Sequence, residues 1–452
     1  MNFMRAIFIF FMMLFLGINS AFAYDLILPK EKRSIANTNY AFFVGKAGKS
    51  EFITINDEKV YIAPNGAFAH AIKLKNGENR IALKSNYNTE IYKIYKNTPE
   101  QIIKPELVEF EPKLYKVKKD NTPLRNTPVD FGMNRISHLF EGTYLIINGQ
   151  KGSFYRVFLS KDKIAWINKD SVSESKDVVI PAFITMNSET FKNASKHIIE
   201  FSEKLPYTIE ETKDEIIFKV YNSLVSDNSI YTVNIRKPEK YTYETNLHNG
   251  VYIFKVSELP KLENKTLEGL TITIDAGHGG SEKGAVGCLG DNEKDINLKI
   301  ANELKNILCL MGANVVMTRE CDANVSLDDR VKIGKENCSN IFVSIHLNSI
   351  PDIKFDVHKN RGTSVYFYNQ NSKKMAETVL DSLIDSLNTR NDGVRSASFA
   401  VIRPTEYVGI LVETAYMTNP IDSLLYTQED FPYNTAKGIA DGILNYVISE
   451  SK

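Results

Sequence analysis

Five short islands toward the C-terminal end of the sequence carry side chains able to do chemistry together. They are Asp275-Ala276-Gly277-His278-Gly279-Gly280, Glu293-Lys294-Asp295, Thr318-Arg319, Ser344-Ile345-His346-Leu347-Asn348 and Val412-Glu413-Thr414-Ala415. Two of the islands hold histidine and two hold glutamate. Hydrolytic zinc sites commonly use two imidazoles and one carboxylate as ligands, leave the fourth position for water, and keep a further glutamate for proton transfer. The residue types therefore point to metal-assisted hydrolysis.

Each residue also has a plainer reading. His278 lies in a glycine-rich turn after the apolar run Thr271 to Asp275, where glycine lets the chain bend sharply and carry a ring over a sheet edge. Glu293 stands before a helix expected to begin near Asp295, and an acid there commonly does no more than suit the helix dipole. His346 ends the apolar run Ile341 to Ile345, and a lone histidine in that place is usually structural. Glu413 follows the almost wholly apolar run Val408 to Val412, where an acid is costly unless it meets solvent, a cation or a metal. One shared site accounts for all four at once.

The elements that must position these residues begin at Leu270, where apolar strands alternate with amphipathic helices. Strands are expected at Leu270 to Ile274, Asn314 to Met317, Ile341 to Ile345, Ser364 to Tyr368 and Val408 to Val412. Helices are expected at Ile296 to Met311, Leu327 to Glu336, Ser372 to Leu387 and Ala436 to Val447. This alternation predicts an α/β domain over 268–450 with a mostly parallel sheet. Its reactive residues fall at the carboxyl ends of strands, where such sheets place their sites.

Upstream the pattern is all-β. Residues 30–97 show period-two apolar runs broken by Pro64-Asn65-Gly66 and Asn76-Gly77, and resemble small immunoglobulin-like modules. Pro99, Pro105 and Pro112 mark 98–112 as an extended linker. Residues 113–173, with Gly142-Thr143-Tyr144-Leu145-Ile146 and Ala165-Trp166-Ile167, resemble a bacterial SH3-like barrel in which Trp166 is expected to pack in the core. Alternation over 176–260 predicts a third small β module. His138, His197 and His248 stand alone and are expected to be exposed or structural, as is His358 in a polar loop.

Composition sets the bounds. With 452 residues and 43% of them hydrophobic, the chain can build several packed domains. Lysine plus arginine equals aspartate plus glutamate, 55 against 55, so no global field draws it to nucleic acid. Arg5, the apolar run Ala6 to Leu16 and Ala21-Phe22-Ala23 form a signal peptide over 1–23, with cleavage expected after Ala23. An apolar run of about a dozen residues falls short of the roughly 20 that span a bilayer, so no stable membrane insertion is expected after cleavage. The expected location is the periplasm, cell wall or exterior. Cys288, Cys309, Cys321 and Cys338 lack close C-x-x-C spacing and are given no metal; free thiols and disulfides both remain open.

From about Leu267 to Ile448 the sequence resembles the catalytic domain of zinc-dependent N-acetylmuramoyl-L-alanine amidases of the amidase_3 type. These enzymes cut between muramic acid and the peptide stem of peptidoglycan. The likeness runs in order through the five islands, Gly284-Ala285, Gly312-Ala313-Asn314, Ser326-Leu327 with Arg330, and Asn419. It implies one Zn2+ held by His278, Glu293 and His346, with Glu413 as the catalytic glutamate and peptidoglycan as substrate. Glu282 departs from the family's usual aspartate. Some relatives carry a long insertion that covers the metal, but here one helix-length segment, Asn371 to Asn388, precedes Gly393-Val394-Arg395, and no blocking helix is expected. Asp275 is expected to orient a ligand histidine or to end its strand, and Arg319, Asp322 and Arg330 to form ion pairs. Asn348 and Arg395 are candidates for substrate contact. A zinc peptidase acting within the stem, and a wall-binding protein without turnover, are the competing readings; the presence of Glu413 counts against the second.

Overall fold

Strand pairing changes character where the sequence pattern changes. The structure, a computed structural model, describes residues 24–48, 51–97, 105–224, 229–260, 262, 266–349 and 359–448. The expected signal peptide, residues 98–104 of the expected linker, and His358 lie outside the described residues.

Upstream of Leu270 the described sheets are antiparallel except for one parallel pair, Arg33–Ala36 beside Thr89–Lys96. The first two sheets have three strands (Tyr24–Leu28, Tyr40–Ala47, Ala67–Lys73) and five strands (Arg33–Ala36, Thr54–Ile55, Glu58–Lys59, Gly77–Lys84, Thr89–Lys96). Alternation along Gly77–Lys84 sends Ile81 and Leu83 inward, where they meet Phe43, Ile55 and Phe68 in one apolar cluster. A seven-stranded sheet spans Val108 to Glu174, and buried Trp166 lies in its strand Lys163–Asn168. Two further sheets, of four and three strands, occupy 183–258. These sheets share a core: Leu145 and Val157 cluster with Phe201, Phe218, Tyr252 and Phe254. Tyr207 fastens them from one side by donating from its hydroxyl to the His138 carbonyl at 2.8 Å.

Beyond Leu270 a six-stranded sheet runs in the order Asn314–Met317, Thr271–Ala276, Ile341–Asn348, Val408–Tyr416, Thr363–Phe367, Asn391–Ser396. The first four strands are parallel; Thr363–Phe367 is antiparallel to Val408–Tyr416 and parallel to Asn391–Ser396. The sixth strand was not expected from sequence. Asn391-Asp392-Gly393 has no apolar alternation, which an edge strand with one neighbour tolerates. Helix Glu293–Leu310 buries Ile296, Ile300, Leu304 and Leu308, four residues apart, so one stripe faces the sheet. Helix Lys373–Leu387 does the same with Met375, Val379 and Leu383 and packs against Phe431–Ile448.

The all-β part is fastened to this domain at several places among the described residues. Val44, Ala63, Ala67 and Ala69 form an apolar cluster with Cys288, and Asn65 donates to the Ser423 hydroxyl. Elsewhere the Tyr243 N–H donates to the Thr405 carbonyl and the Asn371 amide to the Tyr241 carbonyl.

His138 gives the seam a pH dependence. Burial first, then the positive charges of Arg135, Arg403, Arg125 and Lys335, push its pKa from 6.5 down to about 4. Between those values the unfolded chain binds a proton that the folded chain refuses, so stability rises with pH across the window. His138's contribution is complete above 6.5 and lost as pH falls toward 4. His138→Asn is expected to flatten part of the fall in denaturation midpoint over this range in chloride buffer; an unchanged slope would sink the assignment.

Candidate metal centre

The strand Thr271–Ala276 is buried along almost its whole length, and the chain leaves it through Gly277 into His278, whose φ is +59°. A non-glycine residue rarely adopts that conformation without help from its surroundings. The help comes from two buried guanidiniums. Arg319 donates from Nε to the Ala276 carbonyl at 2.9 Å and from Nη2 to the Gly277 and Lys294 carbonyls at 3.0 and 2.8 Å. Arg330 donates to the carbonyls of Ala276 and His278, both at 2.8 Å, and pairs with Asp275.

Asp275 does not touch a histidine. It is 1% exposed, and its carboxylate accepts from Arg330, from the Thr318 hydroxyl and from the Ser344 hydroxyl. The expected pairing of Arg319 with Asp322 is likewise replaced: Asp322 binds Lys294 and the Gly280 N–H, while Arg319 is spent on backbone carbonyls. The reason is topological. The strand Asn314–Met317 pairs only as far as Ile274, so on that side guanidinium N–H groups take the carbonyls of 276–278.

His278, Glu293 and His346 converge here. Their ligand atoms all lie within 4.8 Å of one another. His278 Nε2 is 3.2 Å from Glu293 Oε2 and His346 Nδ1 is 2.9 Å from Glu293 Oε1, with the two imidazoles nearly perpendicular. The helix begins at Glu293 itself, two residues earlier than expected, which puts the carboxylate at its first turn. Oε2 also accepts from the Ala285 N–H at 2.8 Å, and Oε1 from the Leu347 N–H at 3.2 Å. Burial opposes the charge on Glu293, but hydrogen bonds from His278 and His346 outweigh it and hold the carboxyl well below its usual range. His278 is raised by the hydrogen bond to Glu293 against the pull of burial.

Two glycines make room. A Cβ at Gly277 would lie 2.3 Å from the His346 ring. One at Gly284, where φ is +70°, would lie 2.5 Å from Glu293 Oε2 and 2.6 Å from His278 Cδ2. Neither position accepts a side chain without moving a candidate ligand. Two nitrogen donors and one carboxylate at this spacing fit a small divalent ion.

Glu413 pairs in register with His346 on one side and with Ser364 on the other. Its Oε2 is buried and, among the described residues, has no hydrogen-bond partner; the Ser364 hydroxyl is in the same position. Burial, reinforced by the negative charge of Glu293, raises the Glu413 carboxyl well above its usual range.

The domain that carries this cluster also matches known proteins. The family profile described as N-acetylmuramoyl-L-alanine amidase matches residues 272–445. The uncharacterized protein YqiI of Bacillus subtilis (strain 168) is 37% identical over 184 residues, 40% of this chain and 86% of YqiI. The chain belongs to this amidase family. The probable cell wall amidase LytH of Staphylococcus saprophyticus is 36% identical over 184 residues, 40% of this chain and 60% of LytH. Among solved structures, the catalytic domain of the amidase CwlV from Bacillus (Paenibacillus) polymyxa var. colistinus is 35% identical, with 39% of this chain and 97% of that one covered and a TM-score of 0.37.

In this amidase the site residues read from sequence, His278, Glu293, His346 and Glu413, are brought together, while Arg395 is held by Asp392 and Tyr366. All four cysteines are free, with Cys288 buried and the others exposed. Sequence reasoning gave Arg330 only an ion pair and Gly284 only a place in the family likeness, and put neither in the site. Helix Leu327–Glu336 buries only Arg330 and Gly334, so a helix whose inward face is not apolar was the available signal. Arg330→Met and Gly277→Ala are expected to weaken metal retention about 10–100-fold, measured as bound metal per chain after dialysis against graded chelator. Retention equal to that of the surface variant Lys305→Ala would show that neither residue supports the cluster.

Proposed function

We propose that this chain is an exported zinc amidase that hydrolyses the bond between N-acetylmuramic acid and L-alanine in peptidoglycan. The observation that carries the reading is the convergence of two imidazoles and a carboxylate, in register with a second glutamate whose buried Oε2 has no partner among the described residues. His278, Glu293 and His346 would hold one Zn2+. When bound, zinc supplies Lewis acidity that polarises the amide carbonyl and makes water acidic enough to attack near neutral pH.

The chain's own residues supply the rest. Glu413 takes a proton from the attacking water as its oxygen bonds to the carbonyl carbon, then gives that proton to the departing nitrogen as the carbon–nitrogen bond breaks. The products are a lactyl carboxylate on the sugar and a free L-alanine amine on the peptide. Arg319 and Arg330 keep the His278 turn in place. The segments 30–97, 113–173 and 176–260 serve as β modules that position the catalytic domain, 268–450, on the wall. Location in the periplasm or cell wall follows from the signal segment and is supported by the wall-amidase likeness.

Digestion of purified peptidoglycan tests this directly. New amino-terminal alanine alongside intact muramic acid, lost on chelation and restored by zinc, is the expected result; new carboxyl ends inside the stem would make the protein a peptidase instead. Glu413→Gln is expected to lower turnover by about 10²–10⁴-fold while leaving metal content unchanged. Unimpaired turnover in that variant would remove Glu413 from the mechanism.

A further inference from the structure

A second cluster of charge lies at the opposite edge of the C-terminal sheet. Because Thr363–Phe367 runs antiparallel to Val408–Tyr416, with Ser364 opposite Glu413 and Phe367 opposite Ile410, the chain beyond Phe367 lies away from the metal centre. Arg403 follows the turn Ala400–Ile402 just before Val408–Tyr416, so it belongs to that far edge. The seven-stranded sheet meets it there. Gly132 is so close to Ser398 that a Cβ would fall 2.4 Å from the serine Cβ.

Three guanidiniums share this junction. Arg125 and Arg135 are register partners across adjacent strands, a placement in which like charges repel. Arg403 joins them from the amidase domain, and all three act on the phenol of Tyr368. Carboxylates balance only one of them. Asp130 is bound to Arg125, which also donates to the Phe131 carbonyl and the Asn134 amide. Glu406 is bound to Lys335. Asp328 acts on Arg403 without a hydrogen bond between them. Among the described residues the Arg135 guanidinium hydrogen-bonds only the His138 ring, at 3.3 Å, and the Arg403 guanidinium has no hydrogen-bond partner. The Nε atoms of both arginines and the Ser398 hydroxyl are buried without hydrogen-bond partners among the described residues.

Burying unpaired donors of like charge is unfavourable unless something supplies acceptors. We propose that Arg135 and Arg403, with Arg125 and Ser398 beside them, form a binding site for a phosphate oxyanion at the seam between the seven-stranded sheet and the amidase domain. Phosphate suits the set because guanidiniums bind its oxygens through paired N–H groups and a hydroxyl can donate to a further one. The source would be the phosphodiester of an anionic polymer or free phosphate; the contacts are the same. Bound there, the anion would tie two parts of the chain together without touching the reacting atoms, and the inference does not depend on the catalytic reading.

The test is thermal denaturation of the purified full chain, stripped of metal so that phosphate has no ion to meet. Inorganic phosphate is expected to raise Tm by about 2–4 °C over chloride at matched ionic strength. Arg135→Gln and Arg403→Gln should each lose that increment and keep peptidoglycan hydrolysis once metal is restored. In phosphate-free buffer Arg403→Gln should melt no lower than the parent, since it removes an unpaired charge. No phosphate-specific increment in the parent, or a full increment in both variants, overturns the site. Poly(glycerol phosphate) that binds the parent and is displaced by inorganic phosphate identifies a polymer site, and stabilisation by inorganic phosphate alone identifies a free-phosphate site; both outcomes support it.

Discussion

Asp275 carries a charge at the end of a central strand, with 1% of its surface in contact with solvent. Such a group persists only if donors surround it, and here they come from Thr318 after one strand, Arg330 on a helix and Ser344 in the adjacent strand. Those bonds fix where Arg330 lies. Its remaining N–H groups then reach the carbonyls of Ala276 and His278, and Arg319 takes Gly277. The turn that presents His278 is therefore held by its backbone rather than by its ring. That arrangement lets the imidazole, with Nε2 beside Glu293, serve as a ligand.

What the sequence makes legible follows from how local the physics is. Strands such as Ile341–Asn348 are apolar runs of ordinary length, and the helix Glu293–Leu310 repeats its buried residues every four positions, so both are readable from neighbours alone. The four chemical residues are readable because each follows an apolar run or opens a helix, although the strands that carry His346 and Glu413 continue past them to Asn348 and Tyr416. The partners of Asp275 are not, since Ser344 and Arg330 are more than fifty residues away and belong to no local pattern. The strand Asn391–Ser396 escapes notice because it has little apolar face to advertise. The shared core of Val157 and Phe254 is hidden for a related reason: alternation shows that a residue points inward, not what it meets there.

The β half does not hang from the amidase domain as a loose tether. Cys288 lies in an apolar cluster with Val44 and Ala67, and burial pushes its thiol up to about 12, which makes it a packing residue rather than a reactive one. This contact sits in the loop that leads into Glu293. The Asn65–Ser423 hydrogen bond falls on the stretch that follows Glu413. The first β sheets thus brace the two loops on either side of the chemical centre, and a strain introduced there has a short path to both glutamates.

Those two glutamates share a residue type and little else. Glu293 is surrounded by donors, from two imidazoles, two backbone N–H groups and the Asn297 amide, and its charge is retained despite burial. Glu413 has a buried oxygen with no donor among the described residues, and burial together with the charge on Glu293 pushes it toward its protonated form. Two carboxyls whose surroundings drive them in opposite directions divide the work between them. The ionised one is suited to holding a cation. The other gains and loses a proton readily once positive charge arrives nearby, and a fixed ligand could not do that.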